Sequence, residues 1–166
     1  MPNTAKPFVV GAGESRSARK LGGLSGTVIC VKFSGADTGD QLAVLELPTA
    51  PDRGPPLHVH RIEDEWFYVL EGEHEFQVAS DRFRLAPGDS IFAPRLIPHS
   101  WRNVSARPGR ILCIATPAGR LEAFFEELSV LASSDPANVS AKNALFEKYD
   151  MENVGPPLAG PFTCLT

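Results

Sequence analysis

From Thr27 to Thr116 hydrophobic and polar residues fall into short runs separated by Gly, Pro, Ser and Asp. Thr27-Val28-Ile29-Cys30-Val31-Lys32-Phe33 is rich in β-branched residues and predicts a first strand. Ser34 to Asp40 is a turn cluster, Gln41 to Leu47 a second strand, and Pro48 to Pro56 a Pro/Gly/Asp loop. The run Glu65-Trp66-Phe67-Tyr68-Val69-Leu70-Glu71 is the clearest strand. It puts Glu65, Phe67 and Val69 on one face, Trp66 and Tyr68 on the other, and stops at Gly72. Further strands are predicted at His74 to Val78, Asp81 to Leu85, Ser90 to Ala93, His99 to Val104 and Arg110 to Thr116, with Pro87-Gly88-Asp89 and Pro94 to Pro98 as connections.

The period changes after Gly119. Leu121, Phe124, Phe125, Leu128 and Leu131 recur at helical spacing, so Arg120 to Leu131 is predicted to be an amphipathic helix. Leu145, Phe146 and Tyr149 mark a second helix over Ala141 to Tyr149, and the tail from Gly155 is expected to be extended. The pattern divides the chain into a polar, Gly-rich arm at 1–26, a β-barrel or sandwich at 27–118, and a helical extension with its tail at 119–166. The extension is too short to bury a core alone and is expected to cover the β core.

Composition sharpens this all-β reading. The 166 residues suit one compact domain, and 14 Gly with 15 Pro provide many turns. A net charge of -4 makes no electrostatic case for nucleic acid or an anionic membrane, and Arg16, Arg19 and Lys20 amount to a solvated arm. No apolar stretch is long enough for a transmembrane helix. Cys30, Cys113 and Cys164 form no C-x-x-C, so a reduced, cytoplasmic protein is expected.

The chemistry sits in four histidines, His58, His60, His74 and His99. Residues i and i+2 of a strand share a face, so His58 and His60 can enter one cavity as neighbouring imidazole ligands. Glu65 opens the clearest strand a short turn later, and His99 opens another with Trp101 and Asn103 on its face. His74 is read as a structural residue on a solvated strand face. The acidic run Glu63-Asp64-Glu65 also fits a solvated turn.

Taken together these residues resemble the cupin family. His58-Val59-His60, Glu65 and Gly72 are similar to its first motif, and Gly88, Pro94, His99 and Asn103 to its second, with fifteen residues between Gly72 and Gly88. Two positions depart from the pattern. Asp52 stands where the family has a Gly, with Gly54 nearby, and Leu96 stands where a second Gly is usual, so that turn must avoid positive φ or accept strain.

The resemblance implies a double-stranded β-helix, a jelly-roll barrel with the C-terminal helices packed outside. It implies a divalent transition metal (Ni, Fe, Mn, Co, Cu or Zn) held by His58, His60, Glu65 and His99, with Glu65 preferred over Asp64 because it alone keeps the spacing to Gly72. Phe67, Phe76, Phe83, Phe92 and Trp101, with Ile91, are the expected walls of an apolar substrate pocket.

The sequence around Glu65 is similar to small single-domain cupins likened to quercetin dioxygenases. For this chain that implies a dioxygenase in which Glu65 takes a proton from a flavonol-like or other enolic small molecule, O2 adds to the activated carbon and a carbon–carbon bond breaks. A metal-containing binding module without catalysis, and an isomerase or decarboxylase that uses no O2, are the alternatives. Trp66, Tyr68 and the helical extension offer apolar area consistent with a homodimer.

Overall fold

The computed structural model describes residues 6–17, 21–24 and 27–160. Arg19, Lys20 and Cys164 lie outside the described residues. Among the described residues, eleven strands and three helices follow in the order β1 (Leu21–Gly22), β2 (Val28–Phe33), α1 (Gly35–Thr38), β3 (Ala43–Thr49), β4 (Pro56–His60), β5 (Asp64–Glu71), β6 (His74–Val78), β7 (Asp81–Leu85), β8 (Ser90–Ala93), β9 (His99–Asn103), β10 (Gly109–Thr116), α2 (Leu121–Ser134), α3 (Val139–Lys148) and β11 (Met151–Pro157). They form two antiparallel sheets, in the orders β1-β2-β3-β10-β5-β8 and β11-β4-β9-β6-β7, which face each other as a jelly roll.

Alternation along the strands decides what enters the space between the sheets. In β5, Glu65, Phe67 and Val69 are buried while Trp66, Tyr68 and Leu70 are half-buried. Their partners in β10 repeat the pattern, with Ile111, Cys113 and Ala115 pointing in. Phe67, Val69, Phe76, Trp101, Leu45 and Ile111 form the centre of the core.

The segment from Ser34 to Asp40 contains the short helix α1 instead of turns alone. Ser34 and Asp37 form a reciprocal capping box, and Gly39 ends the helix in the left-handed region. At the other end of the chain, extended structure begins at Met151, earlier than the Gly155 expectation. β11 pairs with the strand that carries two histidines, Met151 opposite His60 and Asn153 opposite His58.

Helix α2 buries Leu121, Phe124 and Leu128 on one stripe, and α3 buries Leu145 and Phe146. Asn138 caps α3 by accepting from Ala141 N at 2.8 Å. Phe124 meets Phe146 and Tyr149 edge-on at 5.1 and 5.8 Å, and this second cluster, with Ala115 and Met151, seats both helices against the mouth of the barrel.

Both departures from the family pattern carry strained backbone. Asp52 has φ 58° and Leu96 has φ 67°, where L-residues are uncommon. The Leu96 turn therefore accepts the strain. Gly54 is needed for a different reason: a Cβ there would lie 1.8 Å from the Trp101 carbonyl oxygen, so the loop could not lie against β9.

Candidate metal centre

Strand β4 presents His58 and His60, β5 presents Glu65, and β9 presents His99 directly opposite His58. All four are buried, and one ligand atom from each lies within 4.8 Å of every other. The imidazole centroids are 5.1 Å apart for His58 and His60, and 4.5 Å for His58 and His99.

The ring nitrogens reveal how the imidazoles are aimed. Nδ1 of His58 is 2.8 Å from Pro56 O, Nδ1 of His99 is 3.1 Å from Ile97 O, and Nδ1 of His60 is 3.2 Å from Glu63 Oε2. Carbonyls and an ionised carboxylate only accept, so each Nδ1 carries the hydrogen and donates it outward. Each Nε2 is left for the centre of the cluster, the arrangement that metal-binding histidines take.

Glu65 completes the set. Its Oε2 lies 2.8 Å from His99 Nε2 and 3.4 Å from His60 Nε2, and its Oε1 accepts from the Cys113 thiol at 3.2 Å. Burial pushes the Glu65 carboxyl up, but the His60, His99 and His58 imidazoles outweigh it and hold it well below the ordinary range. Burial drives His60 down, and the Glu65 and Glu63 carboxylates overcome this and raise it. His58 is held well below its usual value by burial and by its two imidazole neighbours. Burial, then Glu65, pushes the Cys113 thiol up. Three nitrogen donors and one oxygen donor, preaimed and shielded from water, fit a divalent transition ion.

Against the cluster opens a narrow cavity of about 60 Å³. Ile29, Leu45, Leu47, Phe67 and Trp101 line it from the barrel, and Phe124, Phe125, Phe146 and Met151 close it from the C-terminal extension. Thr27 contributes a buried hydroxyl with no hydrogen-bond partner among the described residues.

Of the aromatic residues expected as walls, Phe67 and Trp101 line this cavity. Phe76 does not: it is 1% exposed and packs in the core at 5.3 Å from the Phe67 ring. Phe83 and Phe92 are corrected outright, being 43% and 55% exposed. Phe92 pairs with the outward Trp66, and alternation then sends Ile91 inward beside Phe67. Phe83 shares the inner face with Phe76 but lies on the edge strand β7 and stays exposed. His74 is corrected as well: it is fully buried near Trp101 on the inner face, not on a solvated one.

Sequence reasoning passed over Glu63, Cys113 and the phenylalanines of α2 and α3. Glu63 is buried, whereas Asp64 opens β5 and pairs with Arg95 at 2.7 Å near the surface. The local signal was its position three residues after His60. The inward parity of Cys113 beside Ile111 and Ala115 was the signal for the thiol.

Comparison with known proteins follows the same lines. Residues 47–115 match the family described as Cupin domain. Over 107 residues the chain is 33% identical to quercetin 2,3-dioxygenase of Bacillus subtilis, covering 64% of this chain and 31% of that protein. The chain thus spans about a third of that relative's length. It is 28% identical over 113 residues to the polyketide synthase CurC of Streptomyces cyaneus, covering 68% of this chain and 71% of the relative. An RmlC-like cupin from Shewanella frigidimarina has the same fold, with a TM-score of 0.56 at 20% identity over 70% of this chain and 95% of the other. No helix among the described residues is long and apolar enough to cross a membrane.

Proposed function

We propose that this chain, which belongs to the cupin superfamily, is a metal-dependent enzyme acting on a compact, largely apolar molecule with an acidic enolic hydroxyl, and that the reaction is dioxygenase cleavage. The observation that carries the reading is the convergence of His58, His60, Glu65 and His99 on one small apolar cavity, each imidazole with its Nδ1 already engaged. A divalent metal held by these four side chains would supply a Lewis acid with open positions for substrate and O2.

The chain's own residues do the rest. Glu65, kept ionised by its imidazole neighbours, accepts the enolic proton at a carboxylate oxygen. The Cys113 thiol holds Oε1 while Oε2 faces the imidazoles, so the two oxygens have separate duties. Phe67, Trp101, Phe124 and Phe146 exclude water and orient an apolar body, and Thr27 offers one hydrogen bond to a polar substituent. A cavity of 60 Å³ holds on the order of four waters. That favours a small β-diketone or hydroxyketone over a flavonol, which would require α2 and α3 to move outward.

The test loads purified protein separately with Fe, Mn, Co and Ni and supplies pentane-2,4-dione or quercetin, following substrate absorbance and O2 uptake. Turnover with O2 consumption supports the reading, and turnover unchanged in Glu65→Gln removes the proton-acceptor role. Product without O2 consumption favours an isomerase or decarboxylase, and saturable binding without product favours a binding module. We extend the proposal to a cytoplasmic homodimer that buries Trp66, Tyr68 and the exposed Phe92, which light scattering would measure.

A further inference from the structure

The three imidazoles are not held alike. His58 and His99 donate from Nδ1 to backbone carbonyls two residues upstream, whereas His60 donates to a side chain, the Glu63 carboxylate, at 3.2 Å. Glu63 is 2% exposed. Its seat exists because Gly119, in the bend between β10 and α2, has no side chain: a Cβ there would stand 1.8 Å from Glu63 Oε1 and 2.7 Å from its Cδ. Gly119 also adopts φ 57°, which suits glycine.

We infer that Glu63 is a positioning residue for His60, and that the bend at Gly119 which admits it makes the C-terminal extension part of the metal centre. The inference rests on reading the four-residue cluster as a metal site. A carboxylate on Nδ1 fixes the tautomer, orients the ring and makes Nε2 a stronger donor than a carbonyl partner does. The substituent that sets His60 apart therefore depends on a backbone position at the entrance to α2. A side chain at 119 would displace the far end of Glu63 before it disturbed any rigid part of the barrel.

The experiment measures the dissociation constant of Co(II) by competition with a chromogenic chelator, on full-length wild type, Glu63→Ala, Glu63→Gln, Gly119→Ala and the Glu63→Ala/Gly119→Ala double variant. The visible spectrum of bound Co(II) serves as a second readout. Glu63→Ala is expected to weaken binding by about 10- to 100-fold and to change the spectrum. Glu63→Gln keeps a carbonyl oxygen for the Nδ1 hydrogen and should recover most of the affinity. Gly119→Ala should weaken binding in the wild-type background and add nothing in the Glu63→Ala background, because both act through one carboxylate. Where Glu63→Ala does not fold, Glu63→Leu, which offers His60 no acceptor, replaces it in the cycle, and Gly119→Ala must then cost less affinity than in wild type.

Two results overturn the inference while leaving the metal site standing: wild type and Glu63→Ala bind one ion per chain equally tightly, or Gly119→Ala costs the same in both backgrounds. A wild type that takes up no Co(II) overturns the metal-site reading and this inference with it.

Discussion

Lowering the pH from 7 to 5 should destabilise this protein through one side chain outside the metal cluster. His74 is 0% exposed, and among the described residues neither of its ring nitrogens has a hydrogen-bond partner. Burial in this unpartnered position lowers its pKa from 6.5 to about 4. In the unfolded chain the imidazole takes up a proton as the pH falls through 6.5, while the folded protein refuses it until about 4. The stability is therefore fully present above 6.5 and drains away between the two values. At 1.36 kcal/mol per pKa unit the whole gap is worth about 3 kcal/mol, of which about 2 kcal/mol falls between pH 7 and 5. Urea unfolding at pH 5, 6 and 7 on wild type and His74→Leu measures this. The leucine cannot titrate, so its stability relative to wild type should rise by about 2 kcal/mol from pH 7 to 5. Two stability curves that fall in parallel would show that His74 is not the titrating group.

Other consequences can be checked alongside. His99→Ala removes one imidazole and leaves Glu65 Oε2 without its 2.8 Å partner, so metal content by elemental analysis should fall well below one ion per chain. On the proposed metal-site reading, chelating the ion from wild type should lower the melting temperature, since free ion at 100-fold over its dissociation constant stabilises the folded state by about 2.7 kcal/mol. Leu96 sits at φ 67° and is 64% exposed, so Leu96→Gly should leave stability unchanged or raised, whereas the β-branched Leu96→Val should cost about 1 kcal/mol or more. Leu128 is 0% exposed on the buried stripe of α2, and Leu128→Ala should cost about 2–5 kcal/mol in urea unfolding.

The chain's local periodicities determined the larger part of the fold and the inner ring of the site. Alternation places Glu65, Phe67 and Val69 on one face of β5, and the single residue between His58 and His60 forces both imidazoles to the same side of β4. Such relations span a few residues, and the geometry of one strand enforces them wherever the strand lies. Helix α2 was legible for the same reason, through the spacing of Leu121, Phe124 and Leu128.

Tertiary structure alone decided the rest. Phe83 has the right parity for the interior, yet its exposure depends on β7 being an edge strand. His74 reads as solvated until Trp101 and Gly109 close over it. Glu63 becomes a partner of His60 because Gly119, far away in the chain, leaves room for its carboxylate, and β11 returns to pair with β4. Phe124, Phe125 and Phe146 close the cavity only once two helices have docked. Each of these depends on which remote segments meet across the barrel, a matter of packing that no window of neighbouring residues encodes.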